Sequence, residues 1–156
     1  IVFGDWSSDV CSSDLSPHPQ AEASFVDEVT ALTHLFGTSY SIPEAQLAAF
    51  IGVSGSATAT CFSFLHGIAM GGVDEGLPYP TALALIRDTV ESAAALVRET
   101  GRNPIDLMTN VCSAGGTTIE AMKALAEGAF EATLMESVTA SSEKAKTLEL
   151  AAKNHR

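Results

Sequence analysis

Gly115-Gly116-Thr117-Thr118 lies between Val111-Cys112-Ser113-Ala114 and an apolar helical pattern from Ile119 to Leu125. Two adjacent glycines let the backbone come close to a ligand, and two hydroxyls follow. A helix starting there aims its unpaired N–H groups and the positive end of its dipole at the same place. That chemistry suits an anion such as a carboxylate. The same four residues also make an ordinary helix start with Thr117 or Thr118 as N-cap, and taken alone they leave both readings open.

Other reactive side chains are sparse. Cys112 precedes a helix start that could lower a thiol pKa, but no histidine is near in sequence, so an inert packed cysteine is the better reading. Cys61 and His66 fall in an uncharged helical stretch and are expected to pack there. Lys123 is expected at the surface, paired with Glu120 or Glu127. The histidines, His18, His34, His66 and His155, are scattered, and neither H-x-x-x-H nor C-x-x-C occurs. No metal site is expected.

The elements that must position the cradle are helical. Phe25, Val29, Leu32 and Phe36 recur at helical spacing over Ala23 to Phe36, with Gly37 placed to end that helix. Tyr40 to Ile42 reads as a short strand stopped by Pro43. Between Glu44 and Asp74 there is no charged residue. A helix apolar all round must be covered on every side, here by a partner subunit or as the central helix of a single bundle. Gly76-Leu77-Pro78 stops it. Leu83, Ile86, Val90, Ala93 and Val97 then form an apolar stripe opposite Arg87, Asp88, Glu91 and Arg98. Asn103-Pro104 is an N-cap followed by proline at the first helical position, opening a short helix to about Val111. Further helices are expected from Thr117 to Glu127 and, with Leu134, Val138, Ser141, Ala145 and Leu148 on one face, to the end.

Asp5 to Leu15 resembles the translation of a common short-read sequencing adapter. Residues 1–15 are therefore set aside as an artefact without structure or function. The remaining 141 residues (156 less 15) are enough for one domain with a real hydrophobic core. Without Asp5, Asp9 and Asp14 the net charge falls from −11 to −8, which argues against a nucleic-acid or anionic-membrane surface. No unbroken run of eighteen or more apolar residues appears and no signal sequence is read. A cytoplasmic location is the expectation.

The stretch from Asn103 to about Leu148, with Gly115-Gly116-Thr117-Thr118 and the downstream Glu127-Gly128-Ala129-Phe130, resembles the C-terminal helical domain of the pyrroline-5-carboxylate reductase family. Val53-Ser54-Gly55-Ser56 and Gly76-Leu77-Pro78 fall where that family has Ser-Gly-Ser and Gly-Leu-Pro, so the likeness covers about Ala23 to Leu148. It implies an all-α helical-bundle dimerisation domain like the C-terminal half of 6-phosphogluconate dehydrogenase. Residues 16–43 would be the remnant helix and strand of an NAD(P)-binding Rossmann domain, and residues 44–152 the dimerisation and substrate-binding domain. It further implies reduction of 1-pyrroline-5-carboxylate to proline by NAD(P)H and a homodimer or higher oligomer. Ser113 with the amides around Gly115, Gly116 and Thr117 would hold the substrate carboxylate. Thr118 would bind it too and act as the catalytic hydroxyl near the ring nitrogen.

Departures from the family pattern lie close to that site. Ala57-Thr58-Ala59-Thr60 stands where Gly-Pro-Ala-Tyr is usual, and Ala114 replaces a proline. No G-x-G-x-x-G follows a strand, so the chain by itself is expected to bind no cofactor and reduce nothing. Two alternatives stay in view. One is a stand-alone helical dimerisation module without catalysis. The other is the C-terminal half of another two-domain dehydrogenase, such as the 3-hydroxyacid group, whose catalytic lysine has no counterpart before Lys123.

Overall fold

A computed structural model describes residues 13–35 and 37–154. The order is β1 (Ser13–Leu15), α1 (Ala23–His34), β2 (Ser39–Ser41), a 3-10 turn (Glu44–Gln46), α2 (Leu47–Val53), α3 (Ala57–Asp74), α4 (Tyr79–Thr100), α5 (Pro104–Val111), α6 (Thr117–Glu127) and α7 (Phe130–Asn154). Among the described residues the fold is all-α apart from two three-residue strands. Two compact units divide it, one made of residues up to Ala57 with those from Ser137 onward, the other Thr58–Glu136.

The helix limits follow from local chemistry. Asn103 Oδ1 accepts from the Ile105 N–H at 2.9 Å and Pro104 opens α5, satisfying one of the donors that every helix start leaves unpaired. Gly101, at φ 61°, closes α4 by donating to the Val97 carbonyl. Gly76, at φ 95°, ends the turn after α3. Both positions need a conformation that residues with a Cβ rarely adopt.

In the first unit β1 and β2 pair in parallel, Ser13 opposite Ser39 and Leu15 opposite Ser41, and the Ile42 N–H donates to the Leu15 carbonyl at 3.0 Å. The expectation of an unstructured start is corrected for residues 13–15, and residues 1–12 lie outside the described residues. Main-chain ladder bonds need no particular side chains, so an open strand edge can pair with any extended segment. α1 stops at His34 with Leu35 as its C-cap, so Gly37 does not close it; Phe36 lies outside the described residues. The rings of Tyr40 and Phe50 stand 6.3 Å apart. Gly52 is buried against Val138 of α7, and the hydroxyls of Ser56 and Ser141 are 2.6 Å apart.

The uncharged stretch after Glu44 is not one helix. It breaks at residues 54–56, where the Ser54 and Ser56 N–H groups donate back to the Phe50 and Ile51 carbonyls. Serine and glycine are weak helix formers and compete for local backbone bonds, which favours a break there. By length and composition alone, Glu44–Asp74 is long and apolar enough to cross a membrane, although His66 and several glycines interrupt its apolar run.

In the second unit α3 and α4 form a hairpin of small residues. A Cβ on Gly72 would stand 3.0 Å from that of Ala82, and the rings of Phe64 and Phe130 are 6.2 Å apart. Leu83, Ile86, Val90 and Val97 are half-buried while Arg87, Asp88, Glu91 and Arg98 are exposed, as their spacing requires. Ala93, placed on the apolar stripe, is exposed, and so is Leu148 at the end of the α7 stripe.

The expected single domain with its own core is corrected. Among the described residues the buried hydrophobic side chains are Ala69 and Ala82, while Phe62, Ile68 and Met70 of α3 stand open. Chains of this length ordinarily bury large side chains, and here the apolar surface needed for that faces outward.

Candidate functional site

Ser113 to Thr118 join α5 to α6. The Cys112 N–H donates to the Thr109 carbonyl at 3.2 Å, and the chain leaves the helix through Cys112 at φ −92°, ψ 77°. Gly115 takes φ 68°, and the Gly116 N–H closes the turn on the Ser113 carbonyl at 3.1 Å. A Cβ on Gly116 would collide with Ser113 Oγ. The missing side chain is thus the space into which the serine hydroxyl turns.

Gly116, not a threonine, is the N-cap of α6, and no side chain caps that helix. The ordinary reading of Thr117 or Thr118 as N-cap is corrected, because the bend at Gly115–Gly116 places both threonines inside the first turn. The N–H groups of that turn have no intrahelical acceptor. Ser113, Gly115 and Thr117 are exposed, and Gly116 and Thr118 half-buried. All the residues assigned to the cradle therefore come together on one short turn. The Gly116 N–H is engaged by the Ser113 carbonyl, and the N–H groups of the first turn stand at the positive end of the eleven-residue α6.

Elsewhere the expected roles change. Cys61 and His66, expected to pack, are exposed, since none of the described residues of their own unit covers that side of α3. His66 Nδ1 lies 3.1 Å from the Tyr79 hydroxyl with the rings edge to face. Cys112 is half-buried. Lys123 reaches Glu120 at 3.7 Å at the surface, as expected. Among the described residues no three His, Cys, Asp or Glu side chains gather to hold a metal ion.

Sequence reasoning missed one contact beside the cradle. With its amide oriented to suit its partners, Asn110 Oδ1 accepts from Arg102 Nη2 at 2.8 Å and Nη1 at 3.1 Å. A pair eight positions apart follows no helical spacing rule, so no sequence signal marks it. In the first unit an open groove of about 330 Å³ is lined by Glu44, Ala45, Ala48, Lys146, Glu149 and Lys153. None of the cradle residues contributes to it.

A mostly helical chain whose large apolar side chains stand open among the described residues defines an association domain. The family model described as pyrroline-5-carboxylate reductase dimerisation matches residues 44–148, and the chain belongs to that family. It is 44% identical over 112 residues to pyrroline-5-carboxylate reductase of Aquifex aeolicus (strain VF5), covering 72% of this chain and 42% of that protein. Against the enzyme of Escherichia coli (strain K12) it is 37% identical over 121 residues, covering 78% and 45%. The crystal structure of 1-pyrroline-5-carboxylate reductase from Streptococcus pyogenes matches with a TM-score of 0.84 at 29% identity, covering 87% of this chain and 52% of that one. The Plasmodium falciparum pyrroline carboxylate reductase, solved with NADP bound, matches with a TM-score of 0.83 over 87% of this chain and 52% of that one; at 23% identity it supports the fold alone. This chain spans about half the length of the relatives it matches.

Proposed function

We propose that the chain is the dimerisation and substrate-carboxylate-binding half of a reductase that converts 1-pyrroline-5-carboxylate to proline with NAD(P)H. The observation that carries this reading is the uncapped turn Ser113–Thr118 lying inside the matched residues 44–148. Ser113 and the amides of Gly115 and Thr117 hold the carboxylate, while the Gly116 amide, expected to join them, closes the turn on the Ser113 carbonyl. Thr118, on the first turn of α6, donates toward the ring nitrogen and fixes the imine for attack. Donors already in place need no reorganisation as charge develops, which is what makes such groups effective.

The described residues do not fit the dinucleotide. The connection from β1 to α1 runs through Ser16-Pro17-His18-Pro19-Gln20-Ala21-Glu22, with no glycine, two residues lacking N–H donors and a carboxylate at the N-cap position. A pyrophosphate needs the opposite on every count. This chain alone therefore binds no cofactor, and the hydride chemistry belongs to the cofactor bound by the other half of such an enzyme. The chain works as a homodimer or higher oligomer in the cytoplasm, with α3 covered by a second copy rather than by lipid or nucleic acid.

Turnover of 1-pyrroline-5-carboxylate with NADPH by the complete enzyme, native and Thr118→Ala, tests this. One lost hydrogen bond at the reacting ring should lower kcat about tenfold with the fold intact. Unchanged kinetics would remove Thr118 from the site. An enzyme that leaves this imine untouched would overturn the substrate assignment.

A further inference from the structure

α5 is a poor support for a binding turn if it stands alone. It has eight residues and none of them is buried, and isolated helices that short are marginal in water. Its last turn leads within two residues into Ser113, so fraying there would carry the serine and the bend behind it out of place.

Arg102 counters this. It sits just before the Asn103 cap, yet its guanidinium reaches Asn110 in the final turn with both terminal nitrogens on one oxygen. The contact joins the residue just before the cap to the last turn of the helix, and so ties the end of α5 to its beginning. The cation is also placed by the negative end of the helix dipole, where it is favoured. The Arg102 N–H donates to Thr100 Oγ1 at 3.3 Å, and that hydroxyl donates to the Leu96 carbonyl at 2.6 Å, so the anchor connects to the last turn of α4.

We propose that Arg102 is a positioning residue for the carboxylate cradle, acting through Asn110 to hold the last turn of α5 and hence Ser113–Gly116 in the binding arrangement. This rests on the cradle being the carboxylate site. Arg102 touches no substrate, and its effect is on the order of the turn. Because exposed charged pairs contribute little to global stability, the consequence should be local.

The test uses the whole chain labelled with nitrogen-15, with L-proline as the probe. Arg102→Leu and Asn110→Leu should each lower the heteronuclear NOE of the Ser113–Gly116 amides, a measure of fast backbone motion. α4 and the melting temperature should not change. The double variant should loosen the turn no more than either single one, and Arg102→Lys, with a single point of donation, should restore part of the order. Shifts of the Gly115, Gly116 and Thr117 amides on titration should give a Kd for L-proline about threefold weaker in each leucine variant, the scale of an exposed charged contact. Unchanged NOEs in both single variants overturn the proposal, as does loss confined to the melting temperature. A turn that loosens in the variants while the native chain gives no response to L-proline supports the tether and overturns the carboxylate reading instead.

Discussion

Gly52 of α2 meets Val138 of α7 so closely that a Cβ there would stand 2.9 Å from the valine carbonyl oxygen and 3.0 Å from its Cγ1. The first obstacle is backbone and cannot rotate away. Gly52→Ala gains helix propensity, about 1 kcal/mol, but overpacking typically costs about 1–3 kcal/mol, so the clash should win. Urea denaturation at fixed protomer concentration should show a lower midpoint. A raised midpoint would mean that the helices separate at little cost.

The two glycines of the cradle should respond differently to alanine. Gly115 sits at φ 68° with nothing within 4 Å of an added Cβ, so Gly115→Ala should cost about 1 kcal/mol of backbone strain. Gly116 has an ordinary φ of −80°, and its obstacle is chiefly the movable Ser113 hydroxyl. Gly116→Ala should therefore leave stability nearly unchanged while displacing that hydroxyl and abolishing the amide response to L-proline. Equal effects on stability and binding in both variants would contradict this assignment.

Phe62 is 61% exposed and Ile68 45% exposed on α3. Covering these side chains contributes about 1.5–3 kcal/mol each, so association should be strong and easily damaged. Sedimentation equilibrium should show a dimer or larger assembly for the native chain. A charge on each side, Phe62→Glu with Ile68→Glu, should shift it toward the monomer. A native chain that stays monomeric and folded at micromolar concentration would remove α3 as the contact.

Lys153 has its pKa raised from the usual 10.5, first by the hydrogen bond to Glu149 and then by that carboxylate's charge. A cation whose pKa rises on folding stabilises below its unfolded value, and the contribution fades as pH climbs through the folded value. The pair is exposed and screened by salt. Lys153→Met should leave the melting temperature near neutral pH unchanged at physiological salt, any difference between native and variant appearing at low salt and vanishing in strong alkali.

Helix limits were legible because their causes lie within a few residues. Asn103-Pro104, Gly76 and Gly101 act through bonds and dihedrals of their own neighbourhood. The turn between α5 and α6 was legible for the same reason, since paired glycines ahead of a helical pattern bend the chain through their own dihedrals. The break at residues 54–56 was less so, because a continuous apolar pattern concealed it and only the bonds back to Phe50 and Ile51 decide it.

The amino-acid order by itself thus determined the helices from α4 onward, the turn between α5 and α6, and an apolar surplus too large for one small chain to leave unaccompanied. Only the tertiary structure decided that Gly52 faces Val138, that Arg102 reaches Asn110, and that the surplus lies open on α3. Periodicity records which side of a helix is apolar. What that side meets depends on residues far away in the chain, whose approach is set by packing and leaves no mark in local spacing.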